Sequence, residues 1–160
     1  MFPTRIDIPQ PQRVALIDLL NARLADTIDL HLQAKQAHWN VKGPSFIALH
    51  ELFDDIAGEL DEHADTIAER VTALGGEANG TLAAVAKQTK LKAYPSGLKT
   101  GREHVEALAD AIASAGKGVR AAIAQADELG DADTADLFTG MSRDLDKKLW
   151  FVEAHLQADR

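Results

Sequence analysis

The 160-residue chain has no cysteine. That excludes a disulfide scaffold, thiolate metal ligands and a cysteine nucleophile, and it fits a cytoplasmic setting. Aromatics make up only 5% of residues, while Ala and Leu are abundant, a balance that favours helices. No apolar run approaches the length that spans a bilayer. The start, Met1-Phe2-Pro3-Thr4-Arg5-Ile6-Asp7, lacks the basic-then-apolar pattern of a signal peptide. There is also no basic patch. The formal net charge is −8, which argues against direct nucleic-acid binding and for attraction of cations. What is present is 46% hydrophobic content, enough for one globular domain with a sizeable core.

Pro3, Pro9 and Pro11 predict a short extended arm over residues 1–12, followed by one all-α domain over 13–160. The first helix is expected from about Gln12 to Trp39, with Leu16, Leu20, Leu24, Ile28 and Leu32 inward. Gly43-Pro44 breaks it, and Ser45 is a suitable N-cap for a second helix that ends at Gly75-Gly76. Residues 76–100 form a long connection with room for a short helix over Leu82–Gln88 and a turn at Tyr94-Pro95-Ser96-Gly97. A third helix runs from about Arg102 to Glu128, weakened by Gly116 and Gly118, and a fourth from about Thr134 to Gln157. Two short links and one long crossover describe a ferritin-like four-helix bundle, with the short extra helix in the crossover.

The second helix carries the chemistry. Taking His50 as the origin, Asp54 falls at about 40°, Asp61 at about 20°, Asp65 at about 60° and Glu69 at about 100° around its axis. The apolar residues Leu49, Phe53, Ile56, Leu60, Ile67, Val71 and Leu74 form another stripe, centred about 125° away. The acidic stripe is therefore either a solvated face or a ligand set. His50 with Asp54, and Asp65 with Glu69, are each one turn apart, but the pairs lie over about 20 Å from each other along the helix. One helix cannot bring both pairs to one ion, whereas an antiparallel copy can. A two-fold axis near residues 59 and 60 sets Asp54 beside the partner subunit's Asp65. Gly58, near that centre, permits close approach. His38, returned towards His50 by the turn Asn40–Pro44, completes a mixed nitrogen and oxygen set suited to iron, manganese or zinc.

Lys35-Gln36-Ala37-His38-Trp39-Asn40, Gly43, Phe46-Ile47-Ala48-Leu49-His50-Glu51, Asp54 and Asp65-Thr66-Ile67-Ala68-Glu69-Arg70 together resemble the Dps family of mini-ferritins. Leu91-Lys92-Ala93-Tyr94-Pro95, Ser142–Lys147 and Leu149-Trp150-Phe151 resemble its later segments. The resemblance covers about residues 13–157. It implies a hollow shell of twelve subunits, with ferroxidase centres at the two-fold interfaces. In these, His38, His50 and Asp54 of one chain act with Asp65 and Glu69 of its partner. It implies oxidation of Fe(II), with hydrogen peroxide preferred over dioxygen, and storage of the ferric product. Two irons per centre are expected, with zinc or another divalent metal as possible substitutes. Asp61 has the right orientation but is not a usual ligand of the family. The resemblance also suggests that Trp39 and Lys35 stand near the site and that Asp131 and Asp136 line pores for iron entry. Capping of the last helix accounts for the acidic residues Asp131, Asp133 and Asp136 equally well.

The remaining histidines read as structural or surface residues. His31 is expected at an interface or in the core, His63 flanking the apolar stripe, and His104 and His155 on the surface. Many Dps proteins bind DNA through Lys-rich arms. Here the first twelve residues hold one basic side chain, Arg5, and the C-terminus Gln157-Ala158-Asp159-Arg160 is no basic tail. A DNA-condensing role is the alternative to a ferroxidase role, and the charge disfavours it.

Overall fold

The computed structural model describes residues 1–157; Ala158, Asp159 and Arg160, part of the tail read above as non-basic, lie outside the described residues. Five helices follow in order: α1 (Gln10–Asn40), α2 (Phe46–Ala73), α3 (Leu82–Gln88), α4 (Gly101–Glu128) and α5 (Ala132–Gln157). No strand occurs among the described residues. Helix α1 starts earlier than the prolines suggested, because Pro11 sits in its first turn, where a missing N–H costs nothing. Ser45 precedes α2 without capping it through its side chain. A firm cap is found at α4. Thr100 and Glu103 there close a reciprocal capping box.

The chain direction follows from contacts at the helix ends. Leu49 and the Lys42 carbonyl stand beside Gly101, so α4 begins where α1 ends. Arg70 reaches Asp131 and Thr134, so α5 begins where α2 ends. The connection from Leu74 to Thr100 therefore travels the length of the bundle. α1 packs on α2 and α4 on α5, and α1–α4 and α2–α5 contacts join the two hairpins. At the far end the arm is tied down by a Phe2 N–H to Gly75 carbonyl bond of 2.7 Å. Gly75 has φ +88° and its Cβ position would meet the Phe2 carbonyl, so only glycine fits both demands.

Leu16, Leu20, Leu24, Phe53, Ile56, Leu60, Ile67, Leu108, Ile112 and Phe138 fill the core. Truncating a buried Phe such as Phe53 or Phe138, each 0% exposed, costs about 3–5 kcal/mol. Leu32, expected inward, is exposed. An i+4 series advances about 40° per step, so by Leu32 the stripe begun at Leu16 has rotated off the core, and Leu30, Ala34 and Ala37 replace it. Gly118 leaves room for the Arg23 guanidinium to cross between α1 and α4, where it pairs with Asp26 at 3.0 Å.

Candidate metal centre

His38 lies in the last turn of α1 and His50 near the start of α2, brought together by the tight 41–45 turn. Their rings stack with centroids 3.7 Å apart and an interplanar angle of 21°. His38 Nδ1 is 2.7 Å from the His50 carbonyl, and His50 Nδ1 is 2.9 Å from the His38 carbonyl. A carbonyl only accepts, so each Nδ1 carries the proton and donates. With Nδ1 committed to a carbonyl, Nε2 is the nitrogen that each ring can offer to a metal.

Asp54 completes this half of the site, with Oδ1 3.9 Å from His38 Nε2. Lys35, one turn before His38 on α1, donates to the same oxygen at 2.6 Å. This hydrogen bond holds the Asp54 carboxyl below its ordinary pKa, against the opposing effect of burial, with His38 and His50 adding to the depression. The Lys35 ammonium also lies 5.7 Å over the Trp39 ring. Trp39 itself is 63% exposed, and Phe46, which lies against the His50 ring, and Ile47 are also exposed. An apolar, ligand-bearing edge is thus open on one side.

Asp65 and Glu69 sit at the other end of α2, both exposed. Because α2 is one continuous helix from Phe46 to Ala73, no bend brings them to His50. Within one chain the structure assembles His38, His50, Asp54 and Lys35, and leaves Asp65 and Glu69 on a separate patch. Gly58 lies between them with nothing within 4 Å of a Cβ position, so the helix face is clear for a neighbour. Asp61 and Asp65 share an open groove with His31, whose Nδ1 lies 2.9 Å from the Ala57 carbonyl, joining α1 to α2.

Several expectations are corrected. Asp131 is 3% exposed, with both oxygens held by Arg70 at 2.7 and 2.8 Å. It accepts from the Thr134 N–H and hydroxyl, which makes it the N-cap of α5. Its carboxylate is thus enclosed by its own chain and withdrawn from solvent, unlike the solvent-facing position that a pore residue would take. Burial works to raise its pKa, but Arg70 and Thr134 prevail and hold it below the ordinary value. Asp136 and Asp133 are exposed. His104, expected at the surface, is 2% exposed. It faces the Tyr94 hydroxyl at 2.8 Å, and burial pulls its pKa down. His155 is exposed.

A second grouping was not anticipated. Glu59 and His63 on α2 and Asp144 on α5 place one donor atom each within 4.8 Å of one another. The i,i+4 spacing of Glu59 and His63 was the only sequence signal, and the third member comes from a distant helix. Lys148 on α5 bonds Asp55 at 2.6 Å and Glu59 at 2.8 Å beside it. Burial works against the Lys148 charge, yet the two carboxylates lift its pKa above the ordinary value.

Comparison with known proteins agrees with this architecture. A family model described as a ferritin-like domain matches residues 17–160. The DNA protection during starvation protein of Agrobacterium fabrum is 53% identical over 154 residues, spanning 96% of this chain and 95% of that one. The structure of DpsA14 from Streptomyces coelicolor superposes with a TM-score of 0.93 at 40% identity, covering 98% of this chain and 92% of that one. Mycobacterium smegmatis Dps gives a TM-score of 0.94 at 32% identity, covering 99% and 96%. The chain belongs to the ferritin-like Dps family, the DNA protection during starvation proteins.

Proposed function

We propose that this protein is a mini-ferritin that oxidises Fe(II) with hydrogen peroxide at centres shared between two subunits and stores the ferric product in a dodecameric shell. The observation that carries the reading is the ligand set divided between the two ends of α2. His38, His50 and Asp54 are pre-arranged at one end of the helix. Two unclaimed carboxylates, Asp65 and Glu69, stand at the other, on the same exposed side. Antiparallel docking of α2 on its twin unites them twice, since a two-fold contact uses the same patch on both chains.

Iron is substrate here. The imidazole Nε2 atoms and the carboxylates hold Fe(II), and so few protein ligands leave positions open for water and oxidant. Two Fe(II) each give up one electron, and the peroxide O–O bond takes both and breaks, yielding hydroxide or water. The protein contributes capture by negative charge and the positioning of two ions beside one oxidant. Lys35 holds the Asp54 carboxylate ionised and oriented until a metal displaces it. Removing iron and peroxide together protects DNA without touching it. Asp136 is proposed at an iron entry path, since it remains solvent-facing.

The test is Fe(II) oxidation with stoichiometric peroxide, comparing wild type with a His50→Ala, Asp65→Ala double variant. The reading requires the variant to be slower by orders of magnitude; equal rates reject the centre.

A further inference from the structure

We propose that Glu59, His63 and Asp144 form a second divalent transition-metal site, built within a single chain on the seam between α2 and α5. It is separate from the shared centre. Around α2, Glu59 falls at about 180° and His63 at about 220° from His50, whereas the ligand stripe occupies about 0–100°. The three side chains therefore use the opposite flank of the helix and need no second copy.

The donor atoms set the chemistry. One imidazole nitrogen and two carboxylate oxygens lie within 4.8 Å of one another. Two ligands of one ion at about 2.1 Å can be no more than about 4.2 Å apart, so closing the set takes a side-chain shift of under about 1 Å. One nitrogen with two oxygens suits zinc, manganese or iron better than calcium or magnesium. Three protein ligands also leave positions open for water.

Two features of the site point to an ion. His63 Nε2 is withdrawn from solvent and has no hydrogen bond. It stands 3.3 Å from Asp144 Oδ2 without the alignment such a bond requires, and an ion between them satisfies both atoms. Lys148, in turn, fixes the Glu59 carboxylate through Oε2. That contact orders the carboxylate before any metal arrives, as outer groups do around metal ligands. Side-chain exposures of 29% for Glu59, 19% for His63 and 48% for Asp144 leave the site reachable from solvent.

The experiment is calorimetric titration of Zn(II) into the full-length protein, using the His50→Ala, Asp65→Ala background to disable the shared centre. One Zn(II) per chain is expected to bind, and His63→Ala or Asp144→Asn in that background should each weaken it by about tenfold or more. Circular dichroism confirms helicity, and the exposed Asp144 makes its variant the safer of the two for folding. Absence of Zn(II) binding in the background protein overturns the site, as do titration curves that neither substitution changes. The peroxide assay on the wild type reads the shared centre alone, so the two ideas fail independently.

Discussion

The Nδ1 atoms of His38 and His50 each lie against the other residue's backbone carbonyl, at 2.7 and 2.9 Å. The pair is a reciprocal lock. It fixes the tautomer and ring orientation of both residues, and it clasps the end of α1 to the start of α2. His38→Ala is therefore expected to remove one ligand and the stacked ring, while the residue-38 carbonyl that accepts from His50 Nδ1 remains. Fe(II) oxidation should fall about as far as in His50→Ala, while thermal stability drops by only about 1 kcal/mol. Parallel oxidation and melting measurements on the two variants check this. An inactive but scarcely destabilised His38→Ala is the expected result.

Lys35 donates to the Asp54 oxygen at 2.6 Å, the atom that the proposed centre would offer to metal. Lys35→Met removes that donor and its charge while keeping the aliphatic stem. Divalent-metal affinity at the centre should rise by about threefold, a modest change because the pair is solvent-exposed. Zn(II) competition against a chromophoric chelator measures it, and weaker binding would show that Lys35 positions Asp54 more than it obstructs it.

Arg70 and Asp131 make the best-enclosed ion pair described here, joining α2 to the start of α5. Replacing one partner of such a pair leaves a buried charge unmatched, and Arg70→Ala should cost about 3 kcal/mol by denaturant unfolding. The pH dependence has a definite sign. The Asp131 pKa is lower folded than unfolded, so its stabilisation is complete above the ordinary carboxyl pKa of about 3.8 and fades as pH falls through the folded value. Asp131→Asn should be less stable than wild type at neutral pH, with the gap closing in acid.

Residues 1–12 hold a single basic side chain and the chain carries −8; twelve copies would carry about −96. Duplex DNA should run unshifted in a gel at low salt, even with protein in excess. Retardation abolished by added salt would reveal direct phosphate contacts and restore the DNA-coating role.

The fold was legible because long amphipathic stripes leave few choices. The Phe53, Ile56, Leu60, Ile67 and Val71 spacing gave the buried face of α2 directly, and Gly43-Pro44 and Gly75-Gly76 marked its ends to within two or three residues. The grouping of His38, His50 and Asp54 was legible for the same reason, since local spacing and one short turn decide it. Leu32 was misplaced because a fixed i+4 step drifts around a long helix. Asp131 and His104 were misread because their surroundings come from residues far away in the chain: Arg70 across the bundle, and Tyr94 in the crossover. The Glu59–His63–Asp144 cluster escaped for that reason too; its two halves are more than eighty positions apart in the sequence.

The central claim is that each centre draws on two chains, and subunit mixing tests it most directly. Asp65→Ala and His50→Ala variants are each expected to be inactive in peroxide-driven Fe(II) oxidation. A mixed dimer holds one intact centre, with His50 from one chain and Asp65 from the other, and one centre lacking both. Co-expression with random pairing should therefore restore about a quarter of the wild-type rate. Mixed assemblies as inactive as either variant alone would contradict the shared centre.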